Sequence, residues 1–439
     1  MGDAAGGVRA ALDRATIAPT VRGPARDGGR LMQAALTQDH APSVGLGARL
    51  IYTSVLFLLA MAVDPTDSGL GLPLTFQFLP ALIAIFGGAA YLAQGFRPVG
   101  GIIWQDIAFA VLITMITLGG ASTSYVTGNT ADSFLRLALS ALSYIPIRMM
   151  ASVPEDLDWF MRKLTWPVIV IGLLMSAQLF YWQTVGPFLT QRSGINHIFH
   201  EEVFLIGVAT IVAAIGLADR PILRVIIMAT LILGQFCTFK ITGFLTAFAT
   251  IGILLLIPIR WVSQTPNRSV VLRFLSIIYA LIGVGIFLTC LPMFVDHLPS
   301  GSRSVRLYTY AIRWQEFLDA PVFGAMFHGS PLVPVQRQNL IIPSHSDLLD
   351  LLAFGGTVGM LALALPVLSF VFSIFRLRLM TSERLVALFS YSLVVMLVIV
   401  MAFNPVWLQP KMGGFLWMGF AVMAGVLSRS SFNSRSVAP

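Results

Sequence analysis

The sequence predicts an all-α, polytopic integral membrane protein of about twelve transmembrane helices, with one large loop between the ninth and tenth spans. Three observations carry this. Hydrophobic residues make up 56% of the 439 and charged residues only 11%, where a soluble chain is about a quarter charged. The apolar residues come in runs approaching the roughly 17–25 residues a bilayer requires. The polar residues collect between those runs, above all in one stretch from Pro292 to His345.

Taken in order, residues 1–44 are rich in Gly, Ala and Arg, carry no apolar core and read as a disordered cytoplasmic tail. No hydrophobic segment of a cleavable signal occurs before Leu46, so the first run, 46–63, reads as an uncleaved anchor. Further runs lie at about 73–95, 102–119, 133–151, 165–186, 203–218, 222–238, 241–259, 274–294, 346–375, 386–403 and 415–428. The transmembrane domain is thus 45–428, with the loop at 295–345 inside it and a short cytoplasmic tail at 429–439. Cys237 and Cys290 fall in or beside apolar runs and read as small hydrophobes. No internal repeat is evident, against an inverted-repeat transporter plan.

Orientation follows from the basic residues. With the N-terminus inside, twenty of the twenty-eight Lys and Arg fall on the cytoplasmic side and eight on the other. Both termini are then cytoplasmic and the long loop lies on the outer, periplasm-like face. Arginines on a translocated face are not needed for topology and do not meet the more anionic leaflet. A bound anion is the simplest account of them.

Within the loop, Arg303, Arg306, Tyr310 and Arg313 share one helical stripe, while Val305, Tyr308 and Ile312 lie opposite and suit contact with the membrane domain or its interface. Planar guanidinium forks hold phosphate oxygens in pairs, so such a stripe suits a phosphate or diphosphate. The loop closes on Ser344-His345-Ser346-Asp347, the spacing of a capping box with Ser344 as cap and His345 in the first helical turn. A neutral imidazole there is a competent general base; the alternative is a histidine that only decorates an interfacial helix start.

The second outer loop places Arg192, His197, His200, Glu201 and Glu202 within eleven residues. Ionisable groups at a membrane rim point to function, and Arg192 again suits phosphate. No HExxH pattern accompanies the histidines, and no metal is expected. Lys240, at the start of the eighth span, either snorkels to the interface or adds charge to the same outer pocket. Asp156-Leu157-Asp158 reads as a solvated helix start, and Gly355 to Gly359 as a site of close helix packing.

These residues resemble the O-antigen ligase and Wzy-type polysaccharide polymerase family of bacterial inner membranes. The likeness rests on the Arg303–Trp314 helix, the Pro321-Val322-Phe323-Gly324 turn, and His345 followed by Leu348-Leu349-Asp350-Leu351-Leu352-Ala353-Phe354-Gly355. Arg192-Ser193-Gly194 and Thr238-Phe239-Lys240 look like two earlier family patterns, the latter with Phe-Lys where Ser-Arg is usual. The likeness is best over about 190–360.

The resemblance implies a glycosyltransferase that moves a glycan from an undecaprenyl diphosphate carrier to an acceptor hydroxyl, without nucleotide sugar, metal or cofactor. It implies diphosphate contacts from Arg192, Lys240, Arg303, Arg306 and Arg313, and a base at His345, with Glu201 and Glu202 as rivals. Implied partners are the lipid-linked donor and acceptor, the membrane, and a chain-length regulator and flippase of the same pathway, with no nucleic acid. Polymerase and ligase differ in acceptor, a second lipid-linked glycan or the lipid A core. A flippase is the alternative from another class.

Overall fold

A computed structural model describes residues 44–63, 78–96, 101–122, 137–184, 202–238, 241–256, 300–327, 332–335, 340–343, 346–374, 381–404, 406 and 409–436, with isolated positions between 274 and 285. The helices are α1 (Leu46–Ala62), α2 (Leu79–Ala93), α3 (Trp104–Ser122), α4 (Tyr144–Ser152), α5 (Pro154–Thr184), α6 (Phe204–Gly216), α7 (Pro221–Phe236) and α8 (Ile241–Leu256). After them come α9 (Ser300–Asp319), strands β1 (Leu332–Val335) and β2 (Leu340–Pro343), then α10 (Asp347–Ser373), α11 (Thr381–Met401) and α12 (Pro410–Ser436).

Eleven of the twelve expected spans coincide with described helices; the run at 274–294 lies mostly outside the described residues. Among the described residues, four helices are long and apolar enough to cross a membrane, within α5, α10, α11 and α12, and seven shorter apolar helices accompany them. This is a membrane-type helical bundle.

Local sequence explains the boundaries. α5 opens on Pro154 with Glu155 and Asp156 in its first turn, where a fixed φ and negative charge both suit a helix N-terminus. Pro221 does the same for α7. Every residue from Phe204 to Ala214 of α6 is buried, so this helix, apolar but for Thr210, stands at the centre, packed by α5, α7, α8 and α11. α12 lies against α4 and α11, and α10 against α3. On the far half of α10, Leu361, Leu365, Leu368 and Phe372 are exposed at helical spacing, the stripe of a lipid-facing helix.

The loop is not all helical. β1 and β2 form an antiparallel hairpin, with Leu332 opposite Pro343 and Val335 opposite Leu340. The expected all-α fold therefore carries one short ribbon, built where Leu, Val and Ile cluster between prolines.

Candidate functional site

The site is organised by a helix that breaks. α10 begins at Asp347 with Ser346 in the cap position, φ −152° and ψ 100°. That is two residues later than a cap at Ser344 requires; Ser344 and His345 lie outside the described residues. The buried Asp347 carboxylate accepts a hydrogen bond from the Val406 amide, tying the start of α10 to the turn between α11 and α12.

At Gly356 φ turns to +58° and the helix is interrupted. Backbone groups freed in an apolar setting must find partners. Residues 320–327, which follow α9, supply them. The amides of Ala325 and Phe327 donate to the carbonyls of Ala353 and Phe354, each at 2.9 Å. In return the amides of Thr357 and Val358 donate to the carbonyls of Pro321 and Val322, at 2.9 and 3.0 Å. Gly324, at φ +60°, meets Gly356 back to back: a Cβ on Gly324 would stand 2.5 Å from the Gly356 nitrogen, and one on Gly356 would press as hard on the Gly324 nitrogen. The Pro321–Gly324 turn and the Gly355-Gly356 pair are one unit, and the glycine spacing marks a break filled by a loop instead of a packed helix pair.

Arg313 fastens α9 to the first half of α10. It is 2% exposed, its Nε lies 2.7 Å from Asp350 Oδ1, and its NH1 donates to Glu316 Oε2 at 2.6 Å. Its Cζ stands 4.6 Å from the centroid of the Phe354 ring. Asp350 and Phe354 are four residues apart on one face of α10, so carboxylate and ring meet the guanidinium together. This turns the arginine side of α9 toward α10. Thr309 and Arg313 face inward, while Tyr308, on the opposite side, is exposed. The physical reason is the partner: Asp350 is itself buried at the start of α10, and a buried carboxylate left without a cation costs about 3–5 kcal/mol, so the guanidinium is the group that turns inward.

Arg306, half-buried on the same side of α9, hydrogen-bonds the Tyr310 side chain. Burial pushes the Tyr310 phenol up, Arg306 pulls it down and the nearby Asp350 adds to the rise. The backbone of Arg303 belongs to α9. Glu202, buried at the start of α6, pairs with Lys411 of α12. Glu201, Arg192 and Lys240 lie outside the described residues.

The structure thus brings together Arg306, Tyr310, Arg313, Glu316, Asp350 and Phe354. Asp347 and Val406, and Glu202 and Lys411, join helix starts to the same α11–α12 turn. In that turn Asn404 Nδ2 and Gln409 Oε1 are buried without a hydrogen-bond partner among the described residues. Sequence reasoning missed Asp350, although a carboxylate inside a leucine run is itself a signal. Glu316 and Phe354 carried no such mark. Among the described residues no cluster of three His, Cys, Asp or Glu forms a metal-ligand set.

A second polar junction closes the other end of α3. Asp106 receives Arg148 Nε at 2.8 Å and NH2 at 3.1 Å, and the Tyr144 hydroxyl at 2.6 Å. Nearby, Tyr91 donates to Asp156 at 2.6 Å. Asp156 is buried, not solvated as the sequence suggested.

In comparisons with known proteins, no family model matches the chain and no curated relative does.

Proposed function

We propose that this protein is a membrane glycosyltransferase that polymerises undecaprenyl-diphosphate-linked oligosaccharide repeat units on the periplasmic face of a bacterial inner membrane. The observation that carries this reading is an arginine-bearing helix pinned through Arg313 and Asp350 to the start of a membrane-length helix, the same helix that His345 precedes by two residues in sequence.

In this reaction the acceptor hydroxyl oxygen forms a bond to the anomeric carbon as the carbon–oxygen bond to the lipid diphosphate breaks. The hydroxyl proton passes to a base, and the diphosphate leaves with growing negative charge. Fixed guanidinium groups aimed at that charge stabilise the transition state more than the substrate. The arginines divide this labour. Arg313 is engaged on both sides by carboxylates, so it positions the helix, and Arg306 is the better placed to meet diphosphate. Glu202 is likewise engaged by Lys411, which leaves His345 and Glu201 as the candidate bases.

The test has two parts. In a strain lacking the chain, single repeat units on the final acceptor support a polymerase. Long chains stranded on the carrier lipid indicate a ligase acting on lipid A core, and loss of all periplasmic glycan indicates a flippase. In the purified enzyme, His345→Ala is expected to slow chain growth by about 10²–10⁴, with insertion unchanged. His345→Gln should match it if the imidazole is a base, and recover partly if it only donates a hydrogen bond.

A further inference from the structure

α9 has three faces, and the proposed activity uses only one. Thr309 and Arg313 face α10. A polar edge carries Gln315 and Asp319, which hydrogen-bond each other at 3.1 Å. The third edge is apolar: Leu307, Trp314 and Leu318 are 58%, 50% and 50% exposed and fall with Ala311 at i, i+4, i+7 and i+11. It continues beyond the helix into Val322 and Phe323, 55% and 54% exposed. A soluble loop would not keep such a continuous apolar stripe in water.

The depth of this edge is fixed by the break. Val322 and Pro321 are hydrogen-bonded to Val358 and Thr357 of α10. The half-helix below them, 357–373, is about 25 Å long at 1.5 Å per residue, close to the roughly 30 Å of a hydrocarbon core. Its exposed stripe begins at Leu361, one turn below the docked turn. α3 gives the same level independently: a Cβ on Gly119, three residues before that helix ends, would meet the Met326 carbonyl. The apolar edge of α9 therefore continues a lipid-facing surface at the height where the helices leave the hydrocarbon.

We infer that α9 and the 320–327 turn form an interfacial element, lying in the membrane surface with Leu307, Trp314, Leu318, Val322 and Phe323 among lipid headgroups and upper acyl chains. Trp and Tyr favour that zone, and an amphipathic helix with a cationic flank is suited to it. Gln315 and Asp319 then face water, and Arg306 is held at the height of lipid phosphates. This placement does not depend on the glycosyltransferase reading.

The test is spin-label accessibility in the full chain, with Cys237→Ser and Cys290→Ser as background, reconstituted in phosphatidylethanolamine–phosphatidylglycerol vesicles. Labels replace Trp314, Leu318, Phe323, Gln315 and Asp319 one at a time. Positions 314, 318 and 323 are expected to relax with dissolved oxygen and to be shielded from a water-soluble nickel chelate, with an accessibility ratio several-fold above that at 315 and 319. Equal chelate access at all five positions overturns the inference, because the edge then faces water. Shielding of 314, 318 and 323 from both reagents also overturns it, because protein then covers the edge. If a label at 314 disrupts folding, it is replaced by quenching of the wild-type Trp314 signal, taken as the difference from Trp314→Phe, by lipids brominated near the headgroup. Quenching then supports the interfacial placement, and its absence overturns it.

Discussion

The two ends of α3 show two uses of a buried arginine. At one end Arg148 and Asp106 form a two-pronged pair, capped by the Tyr144 hydroxyl and by Arg148 NH1 bonding Ser152. Its members belong to α3 and α4, helices of the bundle itself. Beyond the other end Arg313 reaches in from α9, a helix outside the bundle, and meets Asp350, Glu316 and the face of Phe354. The first pair closes a helix junction whose satisfied hydrogen bonds leave little room for change. The second holds a loop helix against a broken span, where a modest loss of geometry would loosen the docking of that helix before it is felt in folding. Burial alone does not separate these roles; what separates them is which elements the arginine joins.

That comparison can be broken in order of size. Arg148→Ala removes a buried arginine and leaves the part-buried Asp106 carboxylate without its cation, and should destabilise the protein by up to about 3 kcal/mol, seen as loss of folded yield or a lower thermal midpoint in detergent. Gly356→Ala forces an alanine to φ +58° against the Gly324 nitrogen and the Val322 carbonyl, at a cost of about 1–3 kcal/mol. Its signature should be local: faster hydrogen exchange at the amides of Ala325, Phe327, Thr357 and Val358, with the Arg148 junction unchanged. Arg313→Lys keeps the charge but loses the fork and the ring contact, and should lower turnover about tenfold, or about 1.4 kcal/mol, with folded yield near wild type. Were Arg313→Lys to unfold the protein as Arg148→Ala does, the two arginines would be equivalent and the distinction would fail.

Much of this arrangement is readable from the sequence, and the departures have physical causes. The spans are plain because apolar periodicity and length are local properties, so α6, α7 and α10 begin within a few residues of expectation. The arginine helix and the Pro321–Gly324 turn are likewise visible as composition and turn chemistry. The inward face of α9 is not. Amphipathicity leaves its apolar side to the membrane domain or its interface, an interior carboxylate at Asp350 decides the choice, and that partner lies thirty-seven residues away in sequence. α10 begins at Asp347, two residues later than a cap at Ser344 requires, and the Asp347 carboxylate is held by the Val406 amide, again a distant partner. Asp156 departs from expectation for the same reason, since Tyr91 supplies the bond that lets it be buried. Local pattern places elements; long-range polar pairing decides which way they face.

The broken helix also bears on how the chain is made. α10 carries two aspartates, Asp347 and Asp350, in its first turn, ahead of an uncharged, predominantly apolar far half. A carboxylate entering lipid carries a penalty of about 2.5–3.5 kcal/mol on insertion scales, so the near half is a poor substrate for lateral release into the bilayer. The break lets the far half insert alone. Arg313 is synthesised before Asp350, so α9 can stand ready to receive the near half as it emerges, and the order of residues along the chain becomes an order of assembly.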